Sequence, residues 1–133
     1  AIPDSLHILD FFFEKNIPMG IVSNKRSDLI KKEVEHHGWG KYFKAIVGAG
    51  DADADKPSFA PLMMAIEKSD VHVPMDNIWF VGDTENDFLC AQSAGCHMLF
   101  LKGCAESGYF IQKYKPFFSF STYSELKEFL VAI

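Results

Sequence analysis

The stretch that most restricts the fold is Asn77 to Asp87, which reads Asn-Ile-Trp-Phe-Val-Gly-Asp-Thr-Glu-Asn-Asp. Ile78 to Gly82 has the pattern of a strand buried on both faces, an apolar run ended by a turn residue. Gly82 frees the backbone to turn sharply. Asp83 then falls at the carboxyl end of the strand, where open α/β sheets place their ligands. Thr84 suits a helix N-cap, and Asp87 three residues later approximates the Thr-x-x-acid capping pattern, which starts a helix over about 85–94 beside Asp83. A carboxylate held there is a natural ligand for a hard cation. Taken alone, such an Asp is more often a turn or cap residue.

The rest of the chain alternates strand and helix. Leu6, Leu9 and Phe13 have helical spacing over 5–15, with Asp4 or Ser5 able to cap and Phe11 and Phe12 widening the apolar face. Asn16-Ile17-Pro18 breaks that helix. Residues 19–23 form a short apolar strand, and 27–37 a second helix with Ile30, Val34 and His37 on one side, stopped by Gly38. His36 and His37 diverge by about 100° on a helix and cannot easily share a metal. A strand over 45–48 leads to the acidic loop 50–55 and Lys56-Pro57. Pro61 sits in the first turn of a helix whose inner face is Leu62, Ala65 and Ile66. Gly95 turns the chain into a strand over 97–101. Residues 103–115 read as irregular, and 117–120 as a last strand. Thr122 and Glu125 form a capping box for a closing helix with Leu126, Phe129 and Leu130 inward. This alternation predicts one α/β domain, a doubly wound and mainly parallel sheet covered by helices on both faces.

The 133 residues fit a single domain. A net charge of −5 argues against a nucleic-acid surface. No apolar run has the length to span a bilayer, and Ala1 to Asp4 lacks the basic-then-apolar pattern of a signal peptide. Cys90, Cys96 and Cys104 are odd in number and lack C-x-x-C spacing, which suggests free thiols in the cytoplasm rather than zinc ligands.

Three strand ends carry polar groups: Ser23-Asn24, Lys56 beyond the third element, and Asp83 with Asp87. In a doubly wound sheet these ends converge on one edge. A hydroxyl and an amide can hydrogen-bond phosphate oxygens, and a lysine ammonium neutralises phosphate as a point cation. An acidic residue can hold Mg²⁺, whose usual partners are one or two carboxylates with substrate phosphate and water. Each group alone has an ordinary explanation as a turn or a solvated loop; the ordered set is harder to dismiss.

The set resembles the haloacid dehalogenase superfamily, and within it the phosphoglycolate-phosphatase-like branch. Met19-Gly20-Ile21-Val22-Ser23-Asn24-Lys25 is similar to the second motif of that family. Lys56-Pro57, with Pro61 downstream, is similar to the third, and Val81-Gly82-Asp83-Thr84-Glu85-Asn86-Asp87 to the fourth. Gly95-Cys96 falls where the family often has Ala-Gly-Cys or Ala-Gly-Met. The resemblance implies a Mg²⁺-dependent phosphatase acting on a small phosphate monoester. Ser23 and Asn24 would bind the transferring phosphoryl group, and Lys56 would steady the nucleophile and the phosphate charge. Asp83 would ligate Mg²⁺, and Asp87 would orient a metal-bound water or Lys56. Ser58-Phe59 departs from the His-Pro that the branch often carries.

The first motif of the family, Asp-x-Asp-x-Thr/Val at the end of the first strand, supplies the nucleophile and the general acid. Asp51-x-Asp53-x-Asp55 has the spacing but follows Gly48-Ala49-Gly50, lacks the Thr and runs directly into Lys56; a solvated acidic loop suits it better. Asp10 has Phe12 at the partner position and sits on a helix. The chain is therefore expected to begin after the first strand and after the cap domain that the branch inserts behind it, and to be inactive alone. By family analogy the absent strand is the central one, between those ending at Ser23 and Gly82. Either these two strands pair directly, or a second copy or a separate N-terminal segment fills the gap. A second reading is a non-catalytic fragment or pseudoenzyme that binds phosphate, metal or a partner without turnover. A third, an unrelated nucleotide binder, lacks any Gly-x-Gly-x-x-Gly after a strand.

Overall fold

Strand and helix alternate through the whole of the computed structural model, which describes residues 5–103 and 105–132. In order the elements are α1 (Ser5–Glu14), β1 (Gly20–Arg26), α2 (Ser27–His36), β2 (Ala45–Ala49), α3 (Ala60–Lys68) and β3 (Trp79–Gly82). They continue with α4 (Glu85–Ala94), β4 (His97–Leu101), α5 (Ser107–Tyr114), β5 (Phe118–Phe120) and α6 (Tyr123–Ala132). Single 3-10 turns lie at Gly40–Tyr42 and Met75–Asn77. Every strand pairing is parallel, β1 with β2 and β3-β4-β5 in that order. The expected α/β architecture is what the chain adopts.

The period-two alternation of strand side chains divides the core into two layers. Phe80, Met98 and Phe100 point to one face and bury against Leu62, Phe88, Cys90 and Ala91 from α3 and α4. Leu99, Leu101 and Phe120 point to the other and bury against Ile8 of α1 and Leu126 of α6. Burial on both faces is why β4 is a continuous apolar run rather than an alternating one. A third cluster, Ala45, Val47 and Ala65, holds α3 on β2. Val22 of β1 packs against the first and third clusters together, which stitches the two half-sheets.

Four readings need correction. First, β1 and β3 do not pair directly: β1 is bonded to β2 and β3 to β4, and among the described residues their facing edges share no ladder. The halves meet instead through side chains, Val22 and the Lys56–Asp87 pair described below. Second, β3 is not buried on both faces. Trp79 packs against the α1–α6 layer, but Val81, two residues on, lies outside it and is 40% exposed. Third, β1 runs past Ser23 to Arg26, with its register to β2 shifting after Val22. Fourth, residues within 103–115 form the helix α5. Glu106 at its N-cap makes no side-chain cap hydrogen bond, and Gly108 lowers its propensity, so its local signal is weak. Packing sustains it: Phe110, Ile111 and Tyr114 lie on the Phe88–Phe100 layer, and Tyr114 stacks on Phe88 at 4.9 Å between ring centroids.

The closing helix α6 takes its predicted cap in altered form. Thr122 Oγ1 accepts from the Glu125 N–H at 3.2 Å, but the Glu125 carboxylate reaches the N–H of Ser121 rather than that of Thr122. His36 ends α2, and His37 caps it and stacks on Trp39, so the pair terminates a helix as read. Cys90 and Cys96 are free, and burial pushes both thiols up to about 11, so neither is a ready thiolate. Cys104 and Ala1 to Asp4 lie outside the described residues. Among the described residues, no helix is long and apolar enough to cross a membrane.

Candidate functional site

The site is built outward from the junction of β3 and α4. Thr84 Oγ1 accepts from the Asp87 N–H at 3.3 Å, while Asp87 Oδ2 accepts from the N–H groups of Thr84 at 3.1 Å and Asp83 at 3.0 Å. This reciprocal cap satisfies donors that a helix start leaves open. It also folds the Asp87 carboxylate back onto the strand end. Gly82 is needed here for space rather than for an unusual φ: a Cβ on it would lie 2.5 Å from Asp87 Cβ and Oδ2. The expectation that this glycine supplies a sharp turn is thus replaced by a steric one.

The second Asp87 oxygen accepts from Lys56 Nζ at 2.6 Å, with 11% of the Lys56 and 5% of the Asp87 side chain exposed. Lys56 is anchored at its other end by Asn24. Asn24 Nδ2 donates to the Lys56 carbonyl, and the Lys56 N–H donates to Asn24 Oδ1, both at 3.1 Å. Ser23, half-buried on β1 next to Asn24, accepts the Lys25 N–H on Oγ at 3.1 Å. Asp83 stands exposed at the rim; its charge, after burial, helps raise the Tyr123 phenol above its usual range. Four of the five residues singled out from the sequence are therefore linked in the order Asn24, Lys56, Asp87, Asp83, and Ser23 precedes Asn24 within β1.

The acidic loop is a scaffold. Asp51 Oδ2 accepts from the Gly48 N–H at 2.9 Å and from Ser27 Oγ at 2.8 Å, and Asp55 Oδ1 accepts from the Gly50 N–H at 2.9 Å. These bonds shape the segment that delivers Lys56, and they hold two of the three acids away from any shared task. Asp10 sits on α1 as read and accepts from the Tyr42 hydroxyl. The Gly48 N–H and then Ser27 pull the Asp51 carboxyl below its ordinary value. Its folded pKa is lower than its unfolded one, so its contribution is present above the unfolded pKa and lost as pH falls through the folded one. Asp51→Asn is expected to flatten the loss of stability below about pH 4, read by urea melts across that range.

Two features escaped the sequence. One is the Asn24 bracket on the Lys56 backbone. The other is the Tyr114 hydroxyl, which donates to Glu85 Oε2 at 2.7 Å with Lys113 Nζ 3.7 Å from the same oxygen, tying α5 to the first turn of α4. The i, i+4 spacing of Phe110 and Tyr114 was the available signal.

Among the described residues, no three His, Cys, Asp or Glu side chains gather where they could hold a metal ion. Asp87 is committed to Lys56 and two N–H groups, which leaves Asp83 as one carboxylate of suitable chemistry. Mg²⁺ takes one or two carboxylates and completes its shell with phosphate oxygens and water. Asp83 fits as part of such a shell and not as a whole site.

The model of the family described as haloacid dehalogenase-like hydrolase matches residues 1–101. Phosphoglycolate phosphatase of Photobacterium profundum is 34% identical over 88 residues, 66% of this chain and 38% of that protein. The enzyme of the same name from Yersinia pseudotuberculosis is 35% identical over 80 residues, 60% of this chain and 34% of that protein. The chain thus spans a little over a third of the length of these curated relatives. Among solved structures, a HAD-superfamily hydrolase from Ehrlichia chaffeensis superposes with a TM-score of 0.85 at 28% identity, over 98% of this chain and 58% of that one.

Proposed function

The chain belongs to the haloacid dehalogenase-like hydrolase family, and from that premise we propose that it is the C-terminal core of a Mg²⁺-dependent phosphatase of the cytoplasm, acting on a small phosphate monoester such as phosphoglycolate. The observation that carries this reading is the Lys56 ammonium, buried against the Asp87 carboxylate, whose other oxygen accepts the Asp83 N–H. An ammonium has three N–H donors. One is spent on Asp87, and the others are free to meet the phosphoryl oxygens and the carboxylate that attacks phosphorus. The Ser23 hydroxyl donates to a third oxygen while its lone pair holds the Lys25 N–H. Asp83 would contribute a ligand to Mg²⁺, which when bound would neutralise phosphate charge.

The attacking acid comes from outside these residues. Among the described residues the facing edges of β1 and β3 carry no ladder partner, and they would accept a further parallel strand from an N-terminal segment or a second copy. Commitment of Asp51 and Asp55 to backbone N–H groups favours that source over the acidic loop. The same observation supports a second reading, a core that binds phosphate, metal or a partner without turnover.

With Mg²⁺ and p-nitrophenyl phosphate, the chain alone is expected to show negligible turnover. Adding a segment that carries an apolar strand followed by Asp-x-Asp-x-Thr restores it. Turnover by the chain alone that disappears in Asp53→Asn would overturn the assignment of the nucleophile. Phosphate binding that persists while every complementing segment fails to give turnover selects the second reading.

A further inference from the structure

We propose that Asn24 is a positioning residue for Lys56, its carboxamide fixing the lysine backbone so that the ammonium is delivered, already aimed, to the phosphate pocket. The bracket closes both polar groups of one peptide residue: Nδ2 to the Lys56 carbonyl and the Lys56 N–H to Oδ1, each 3.1 Å. A carboxamide carries donor and acceptor side by side, which a hydroxyl or a carboxylate cannot do in this arrangement. The contact joins residues 32 apart in the chain, so it belongs to tertiary structure rather than to a local turn.

The surrounding backbone explains why this contact is needed. Asp51 and Asp55 organise the loop up to Gly50, but neither bonds to the peptide of Lys56. At the far end Nζ is held by Asp87. A lysine stem is long and freely rotating. Pinning its backbone at one end and its ammonium at the other selects a single arrangement before any ligand arrives, which is what a pre-organised site requires. The register shift of β1 after Val22 takes Asn24 out of the regular ladder with β2, where its side chain can meet the incoming loop. One of its two amide hydrogens is consumed by Lys56, so most of the direct contact with phosphate falls to Ser23 and to Lys56 itself.

The role rests on the phosphate-pocket reading above, whereas the bracket does not, and the test separates them. In isotope-labelled chain the Lys56 ammonium resonance, assigned with Lys56→Arg, reports its pairing with Asp87 without ligand. Titration with inorganic phosphate reports the pocket. Asn24→Ala is expected to stay folded with a lowered melting temperature, to lose or broaden the Lys56 ammonium resonance, and to bind phosphate about tenfold more weakly. Asn24→Asp keeps the acceptor, sets an oxygen against the Lys56 carbonyl and gives an intermediate result; it decides the matter if the alanine variant fails to fold. An unchanged Lys56 resonance in a folded variant overturns the proposal. So does weakened phosphate binding with that resonance unmoved, since Asn24 would then act on phosphate directly. Wild-type chain that binds no phosphate refutes the pocket reading and leaves the resonance to judge the bracket.

Discussion

Lys56→Met is expected to lower the free energy of unfolding by about 3–5 kcal/mol, the range for removing one partner of a buried ion pair. Both side chains are almost fully enclosed. Methionine keeps the apolar stem and most of the volume, so the loss reports the charge rather than a cavity. Asp87 would retain the N–H groups of Asp83 and Thr84, which places the effect toward the lower end of that range. A stable domain has only about 5–15 kcal/mol in total, so the loss is a large share of it. The double variant Lys56→Met with Asp87→Asn removes the stranded charge while keeping an oxygen for the cap. It is expected to recover about 1–2 kcal/mol. Urea denaturation of the three chains measures all of this. A single variant within about 1 kcal/mol of wild type would show that the pair is solvated in solution, contrary to the enclosure that makes Lys56 a precise cation.

Much of the fold was legible because the strands carry their own signature. An apolar run such as His97 to Leu101 is needed by a strand covered on both faces, and the helix over Glu85–Ala94 announces itself through Thr84 at one end and Gly95 at the other, whose φ of +82° ends it. What was not legible depends on contacts distant in sequence. Helix α5 has poor local propensity and exists through aromatic packing on Phe88 and Phe100. Exposure of Val81 reflects how far the α1–α6 layer extends, which no window around Val81 encodes.

The site divides along the same line. The residue types and their order along the chain pointed to one rim, and Asn24, Lys56, Asp83 and Asp87 do lie together. Their connections were not readable. Lys56 could have faced solvent, and the Asn24 carboxamide could have capped its own turn. Nothing in either neighbourhood says that one holds the other by both ends of a peptide residue. Asp51 and Asp55 show the reverse error that spacing invites, since an Asp-x-Asp-x-Asp run that looks like chemistry is spent on the N–H groups of Gly48 and Gly50.

Gly82→Ala is expected to cost about 3 kcal/mol or more, although in a strand interior alanine is ordinarily more favourable than glycine. The added methyl would stand 2.5 Å from both Cβ and Oδ2 of Asp87 and 2.6 Å from its Cγ. Overpacking of this kind costs about 1–3 kcal/mol by itself. Asp87 cannot yield cheaply, because its Oδ2 is held by the two N–H groups of the cap and its Oδ1 by Lys56. Any shift that relieves the clash breaks those bonds as well, so the loss spreads to the ion pair with Lys56. The cause can be isolated by removing the obstacle. In an Asp87→Gly background the same Gly82→Ala change is expected to cost less than about 1 kcal/mol, because contacting residues are strongly non-additive while independent ones are not. Equal costs in the two backgrounds would mean that Gly82 is required by the strand itself. The close approach between strand end and helix that aims Asp87 at Lys56 would then not be what selects a glycine there.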